Sequence, residues 1–332
     1  MQKSTVAVIG SNSFSGSDFV DLLLDDPQYE VIGISRSPEK SSLFLPYLRR
    51  SDRTRFRFVQ ADLNRDADRL LDLLASARPR YIVNFASQSE VAASWETPEH
   101  WYQTNAVSTA RLASFLRRVP WLERYVHIST PEVYGSCEGR VTEDAPMRPS
   151  TPYAASRAAA ETLLQLFVSQ YELPVSLVRS TNVYGAHQQL FKIIPRAVIQ
   201  IRKGEPIALH GGGTQVRSFI HIRDVSRGEL EVMRRGDLGA AYNLSPDDSV
   251  EIRSLVRMIC EHLGVSFEDS TRISLARPGN DARYVIDSTR ARQAFAWRPQ
   301  VELAEGLDGV IRWVDERWDE ILRQPLEYVH KP

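Results

Sequence analysis

Disulfide-forming cysteines, long apolar runs and a strong net charge are all missing from this chain of 332 residues. Its two cysteines, Cys137 and Cys260, lie far apart and in no motif, which argues against a disulfide framework or a zinc site. No apolar run approaches the ~18 residues that a transmembrane helix needs, and the apolar stretch near the N-terminus is too short for a signal peptide. We therefore expect a cytoplasmic protein without a membrane partner.

The charge balance is close to neutral. The formal net charge is -1 at pH 7, so the chain has no excess of positive charge that would favour binding to nucleic acid. The seven histidines show no metal-ligand spacing, and we expect no metal. Lysine is scarce, because it accounts for only 5 of the 41 basic residues and arginine for the others. With 42% hydrophobic and 25% charged residues, the chain has the composition of a globular protein, and its length suggests two domains.

The first half alternates short β-branched runs with longer amphipathic stretches. This is the pattern of a parallel sheet covered by helices. Strands are predicted at residues 5–9, 30–34, 55–60, 81–85, 125–129 and 175–179. Helices are predicted at residues 16–25, 66–77, 103–117 and 152–171. The predicted fold class is therefore α/β, with a Rossmann-type doubly wound parallel sheet in residues 1–180.

The second half is less regular. Prolines and glycines interrupt it at Pro195, 204–206 and 211–213, and helical patterns return at 250–263, 288–295 and 303–318. We predict a smaller, mostly C-terminal α/β substrate lobe in residues 181–332. Segments at about 215–245 are expected to return to the first domain.

A glycine-containing turn follows the first predicted strand, in the stretch VIGSNSFSG at residues 8–16. Gly10 and Gly16 allow a tight turn and a close approach of the backbone to a pyrophosphate, whose charge is then stabilised by the helix N-terminus. Ser13, Phe14 and Ser15 complete the turn, with Ser13 where a middle glycine is usual. The alternative is a plain strand–turn–helix connection. Its place in the first βαβ unit favours dinucleotide binding.

The end of the second strand bears on the choice between NAD and NADP. An acid that holds the adenosine ribose of NAD is usual there, whereas this chain has Arg36. A guanidinium suits the additional phosphate of NADP, so Arg36 favours NADP; the alternative is that Arg36 is an exposed arginine in an arginine-rich chain. Asp62, after the third strand, could accept from the adenine amino group or cap the next helix.

Hydroxyl and acidic side chains follow the fifth strand, in HISTPEVYG at residues 127–135. This places Thr130 and Glu132 at the edge where open α/β sheets bind their ligands. Tyr153 and Arg157 then begin a helix, and residues four apart share one helix face. A neighbouring cation stabilises a phenolate. Arg157 is therefore expected to lower the pKa of Tyr153 towards neutrality, where the phenolate can act as a base.

These motifs together resemble the extended short-chain dehydrogenase/reductase family, and within it the nucleotide-sugar 4,6-dehydratases. The resemblance covers nearly the whole chain. The first half is similar to GDP-mannose 4,6-dehydratase at 84–91 (NFASQSEV) and 94–99 (SWETPE). The second half is similar to dTDP-glucose 4,6-dehydratase at 179–185 (RSTNVYG), 210–217 (HGGGTQVR) and 277–284 (RPGNDARY).

The resemblance implies a reaction. Tyr153 would remove the proton of the sugar 4-hydroxyl during oxidation at C4, with Thr130 bonded to that oxygen. Glu132 would take the C5 proton, water would leave from C6, and the stored hydride would return there. The cofactor, NADP or NAD, would stay tightly bound and be recycled.

The resemblance also implies binding roles. Leu63, Ala86, Tyr153 and Arg157 would contact the cofactor, and Ser87 and Ser129 the sugar. Asn182, Arg217 and Arg277 match positions that hold the nucleoside diphosphate, which arginine binds in a bidentate manner. A homodimer is implied as well, through the helix that carries Tyr153, although its apolar stripe at 163–168 could instead be buried within one chain.

Three departures leave other functions open, and one of them is Ser13 in the phosphate turn. Arg157 stands where the family has lysine and is unable to carry protons, and Pro131 stands where the dTDP-glucose enzymes have an acid. Glu132 could then act as both base and acid. The alternatives are a nucleotide-sugar decarboxylase, an epimerase, or a catalytically silent relative that binds nucleotide sugars.

Overall fold

The central element of the fold is a parallel sheet of seven strands. The computed structural model describes residues 3–137, 139–275 and 285–331. The strands of the sheet are β1 (Ser4–Ile9), β2 (Tyr29–Ser35), β3 (Phe56–Gln60), β4 (Tyr81–Asn84), β5 (Arg124–Ile128), β6 (Val175–Ser180) and β7 (Ala241–Leu244).

The strand order places a ligand cleft at the middle of the sheet. Across the sheet the strands run β7-β6-β5-β4-β1-β2-β3, so the order reverses between β1 and β4. Open α/β sheets bind ligands beyond the carboxyl ends of their strands at such a reversal. Residues Val6 to Ile9 of β1 are buried on both faces of the sheet, which explains the uninterrupted apolar run.

Helices cover both faces of the sheet. They are α1 (Phe14–Leu23), α2 (Ala67–Ala77), α3 (Pro98–Trp101), α4 (Ser108–Leu116), α5 (Pro152–Tyr171), α6 (Ile193–Arg202), α7 (Ile222–Arg235), α8 (Ile252–Leu263), α9 (Phe267–Ser270), α10 (Thr289–Phe295), α11 (Leu303–Glu316) and α12 (Trp318–Ile321). No helix within the described residues is long and apolar enough to span a membrane.

The helix predicted at 103–117 is not a single α-helix. Between α3 and α4 the chain forms a π-helical turn, Tyr102–Val107. This turn brings Asn105 into the interior, where its side chain bonds to both backbone groups of Gln88 and to Ser156. A π-turn inside a helix often marks a functional site, and here it fixes the loop after β4.

Pro195 was expected to interrupt the chain, and this was wrong. It lies in the first turn of α6, where backbone N–H groups have no partner inside the helix, so a proline is tolerated there.

A second apolar core lies beneath α6, α8 and α11 and includes Ile194, Leu255 and Val310. Short strand pairs surround it. They are Asn182–Tyr184 with Phe219–His221, Ile207–His210 with Thr271–Ser274, and Val216–Arg217 with Val250–Glu251. α7 packs against α1, and β7 extends the large sheet.

Candidate active site

The turn between β1 and α1 is a close-packed backbone cradle. Gly10 has φ +89°, and a Cβ there would lie 2.7 Å from the backbone nitrogen of Ala86. A Cβ on Gly16 would lie 2.3 Å from the carbonyl oxygen of Gly10. Both positions therefore require glycine. Ser13 caps α1, because its side chain accepts a bond from the Gly16 N–H at 3.0 Å.

This cradle fits the pyrophosphate of a dinucleotide. The first turn of α1 contains no acidic residue, so no carboxylate there opposes the positive end of the helix dipole. Phe14 is buried and Ser15 is partly exposed at the same helix end. An anion at this end would be stabilised by the backbone N–H groups.

Arg36 lies at the end of β2, where the sequence analysis placed it, and it contacts the last part of the chain. Its Nη1 donates to the carbonyl oxygen of Lys331 at 3.0 Å. Gln88, after β4, donates to the same oxygen at 2.6 Å. The Nζ of the nearby Lys40 donates to the carbonyl oxygen of Asn12 at 3.0 Å. Partial desolvation and the charges of Lys331 and Arg36 lower the pKa of Lys40. The end of β2 is thus strongly cationic.

Asp62 makes local contacts with the backbone, but it is not the helix cap that was predicted as the alternative to adenine binding. Its Oδ1 accepts from the backbone N–H groups of Asn64 at 2.7 Å and Arg65 at 3.2 Å. It closes the turn that precedes α2 and does not cap the helix itself, since the N-cap residue of α2 is Asp66. The neighbouring Leu63 is buried.

The fold brings Thr130, Glu132 and Tyr153 together at the carboxyl edge of the sheet. Thr130 follows β5 and caps the short 3-10 turn Pro131–Tyr134, accepting from the Glu132 N–H at 3.3 Å. Tyr153 lies in the first turn of α5, which begins with a side-chain cap from Thr151 and a proline. The side chains of Tyr153 and Thr130 form a hydrogen bond.

The electrostatics of Tyr153 differ in part from the prediction. Burial raises the pKa of Tyr153 to about 12, and the negative charge of Glu132 acts in the same direction. Arg157 lowers that pKa as predicted, and so does the bond with Thr130. The guanidinium therefore acts in the expected sense, but burial outweighs it.

Arg157 is a buried cation with unused hydrogen-bond donors. Only 1% of it is exposed, and its Nη2 donates to the carbonyl oxygen of Ile128. Its Nε and Nη1 have no partner within the described part of the chain. Buried donors are almost always paired, so these two nitrogens fit a ligand with acceptor oxygens, such as the ribose hydroxyls of a dinucleotide.

A buried polar layer lies beside Arg157. Asn84 donates to the Tyr125 hydroxyl at 3.1 Å, and this hydroxyl bonds to His127 Nδ1 at 3.0 Å. Burial and the charge of Arg157 hold the pKa of His127 well below its usual value, so this imidazole is neutral. The sequence analysis did not single out these residues, although their alternation along β5 puts Tyr125 and His127 on one face.

The predicted substrate residues come from several distant parts of the sequence. Ser129 is partly exposed and donates to Glu161, and Ser87 and Ala86 follow β4. Asn182 donates to the carbonyl oxygen of Ser218 at 3.1 Å, which places it beside Arg217. Arg277 lies outside the described residues.

Comparison with known proteins indicates one family for this chain. The family model described as GDP-mannose 4,6 dehydratase matches residues 8–310. The low-salt glycan biosynthesis protein Agl12 of Haloferax volcanii is 33% identical over 309 residues, 92% of this chain and 97% of that protein. The human dTDP-D-glucose 4,6-dehydratase is 30% identical over 321 residues, 94% of this chain and 90% of that protein.

The similarity extends to the three-dimensional structure. DesIV, a dTDP-glucose 4,6-dehydratase of Streptomyces venezuelae solved with NAD and TYD bound, superposes with a TM-score of 0.88 at 32% identity. The match covers 95% of this chain and 98% of DesIV. Because sequence, family model and fold agree over nearly the whole chain, it belongs to the extended short-chain dehydrogenase/reductase family, among the nucleotide-sugar 4,6-dehydratases.

Proposed function

We propose that this protein removes water from a nucleoside diphosphate hexose by oxidation at C4, elimination across C5 and C6, and reduction at C6. The observation that carries the proposal is the convergence of Thr130, Glu132 and Tyr153 beside the buried, partly unpaired Arg157. The similarity to dTDP-D-glucose 4,6-dehydratases supports it.

NAD fits the cleft of this chain, as it does that of DesIV. Gly10 and Gly16 let the backbone approach its pyrophosphate, and Arg157 offers two N–H donors to a ribose. When bound, NAD supplies the acceptor and later the donor of the hydrogen that moves from C4 to C6.

Tyr153 and Thr130 act on the C4 oxygen. Tyr153 takes the hydroxyl proton, and the positive charge of Arg157 favours the phenolate that this step requires. Thr130, already bonded to Tyr153, donates to the oxygen as it becomes a ketone.

Glu132 acts on C5 and C6. The ketone at C4 makes the C5 proton acidic, and Glu132 takes it. The C–O bond at C6 then breaks, and the same carboxyl group returns a proton to the departing hydroxyl, which leaves as water. One residue performs both tasks because Pro131, the preceding residue, has no proton to donate.

We further propose that NADP is accepted as well as NAD. Arg36 and Lys40 place positive charge at the end of β2, where the 2′-phosphate of NADP would lie. The substitution Arg36→Ala should weaken NADP binding at least ~10-fold more than NAD binding, because it removes a charge-assisted bond. Equal losses for both dinucleotides, measured by titration calorimetry, would remove Arg36 from cofactor selection.

A second copy of the chain is the proposed partner. Two apolar side chains near α4 and on α5, Val107 and Leu166, are more than half exposed, at 54% and 60%. We expect light scattering to give twice the chain mass of 37.7 kDa. We place the protein in the cytoplasm, where a thiol such as that of the buried Cys260 stays reduced.

The test is incubation of the purified protein with a panel of nucleotide sugars, dTDP-glucose and GDP-mannose among them, followed by mass spectrometry. A product lighter by one water is expected. Loss of carbon dioxide would instead identify a decarboxylase, and an unchanged mass with altered NMR couplings an epimerase. Absence of turnover with every sugar, for the wild type and Arg157→Lys alike, would indicate a silent relative.

A further inference from the structure

A buried ion pair joins α5 to β6 below the candidate active site. Glu161 and Arg179 are only 1% and 5% exposed. The Nε of Arg179 lies 3.1 and 3.2 Å from the two carboxylate oxygens of Glu161, and its Nη2 also bonds to this carboxylate. Removing two charges from water is costly, and a buried pair is weak evidence for stability by itself. Its remaining contacts point to a more specific role.

Both ends of this pair hold the same short segment of chain, residues 129–134, which we call the site segment. At its start, the Ser129 hydroxyl donates to Glu161. At its end, the Tyr134 hydroxyl accepts from Nη1 of Arg179, and the guanidinium lies 4.8 Å from the centre of the Tyr134 ring. Thr130 and Glu132 lie between these two anchors.

The same pair also ties the site segment to the helix that carries the phenol. Glu161 belongs to α5, one helical turn beyond Arg157 and two beyond Tyr153. Residues at such spacings lie on one side of a helix. The buried ion pair therefore connects the site segment to α5, and this connection sets the distance between Thr130 and Tyr153.

Tyr134 is fixed from its other side too. Its hydroxyl donates to Asn243 at 3.1 Å, and the backbone N–H of Asn243 donates to Glu143 at 2.8 Å. Asn243 is fully buried in β7. The site segment is thus bound to two strands, β6 and β7, and to one helix, α5, which leaves little freedom for Thr130 and Glu132.

We propose that Glu161 and Arg179 are positioning residues, which hold Thr130 and Glu132 at the distance from Tyr153 that the reaction needs. This inference rests on the proposed function. A displacement of about 1 Å at a reacting group can reduce a rate ~100-fold. Loss of the pair should therefore reduce kcat and leave substrate binding nearly intact, because the nucleotide is held elsewhere, at Asn182 and Arg217.

The test replaces both charges at once, in the variant Glu161→Met with Arg179→Met. Apolar side chains of similar length can fill such a site without loss of stability. We expect thermal unfolding close to that of the wild type, a kcat ~100-fold lower and a KM within ~3-fold. The control is Arg202→Met with Asp315→Met, which removes an exposed pair between α6 and α11 and should leave kcat unchanged.

A double variant that is stable and has the kcat of the wild type would overturn the proposal, since the pair would then serve stability alone. If this variant does not fold, Tyr134→Phe answers the same question by removing one hydroxyl at one anchor. It should reduce kcat ~10-fold at constant KM, and an unchanged kcat would overturn the proposal equally. Failure of the proposed function is distinct, because the wild type itself would then show no turnover.

Discussion

Arg157 is the residue that most distinguishes this site from the pattern of its family. A lysine at this position could carry a proton as well as a charge, whereas a guanidinium stays protonated. The structure shows that Arg157 still favours the Tyr153 phenolate and is held by the Ile128 carbonyl, with two N–H donors left over. Charge and hydrogen bonding are therefore its contribution, and proton transfer must take another route.

The substitution Arg157→Met tests this contribution. Without the cation, the pKa of Tyr153 rises further above its present value of about 12. Tyr153 acts as a base only when deprotonated, so the rise of kcat with pH should move to higher pH. We also expect kcat at neutral pH to fall at least ~10-fold. The measurement is a pH–rate profile, with Arg157→Lys as the charge-preserving control.

The opposite pH shift is expected for Glu132→Gln. The negative charge of Glu132 raises the pKa of Tyr153, so its removal should move the onset of C4 oxidation to lower pH. Elimination should meanwhile fall ~100-fold or more, because the C5 base is lost. Absorbance of reduced nicotinamide would then accumulate without formation of a dehydrated product. Full dehydratase activity in this variant would exclude Glu132 from the mechanism.

At the scale of elements, the strand β1, its turn and α1 show how local sequence determines a close-packed backbone turn. The apolar run, the two glycines and the helix start were sufficient to predict the cradle. Ser13, which departs from the usual glycine, has a local explanation, since it caps α1 through the Gly16 N–H.

Ser13→Ala should accordingly destabilise the protein. Loss of an N-cap side chain costs about 1 kcal/mol of unfolding free energy, whereas Ser13→Gly should cost only a few tenths. Urea unfolding in the absence of dinucleotide measures both. Identical midpoints for the wild type and Ser13→Ala would show that the cap contributes nothing.

Other elements were beyond prediction from the sequence. The π-turn Tyr102–Val107 depends on contacts of Asn105 with Gln88 and Ser156, which are distant in sequence. Hydrophobic periodicity alone therefore predicted one continuous helix. Glu161 and Arg179 were missed for the same reason, because their pairing arises only when α5 packs against β6.

At the scale of the whole molecule, the last described residues connect the region of α6 to the carboxyl edge of the large sheet. Tyr328 packs against Phe191 near α6, while His330 stacks on His100 and Trp101 of α3. The Lys331 carbonyl then accepts from Arg36 and Gln88, beyond the ends of β2 and β4. This segment crosses the edge of the sheet where the dinucleotide is proposed to bind, and no local sequence pattern indicated it.

Loosening this segment should therefore accelerate release of the dinucleotide. His330→Ala removes both stacking contacts and the 2.9 Å bond to His100. We expect the dissociation rate of the dinucleotide to rise several-fold, because the lost stacking and hydrogen bond together contribute on the order of 1 kcal/mol. Stopped-flow exchange against excess dinucleotide gives that rate, and a rate equal to that of the wild type would show that the segment does not retain the cofactor.

The most direct measurement of the central claim uses a nucleotide sugar that carries deuterium at C4. Oxidation at C4 followed by reduction at C6 predicts a dehydrated product in which the deuterium is found on the C6 methyl group. NMR of the product locates the label. A product that keeps deuterium at C4, or a sugar recovered unchanged with its label in place, would contradict the account.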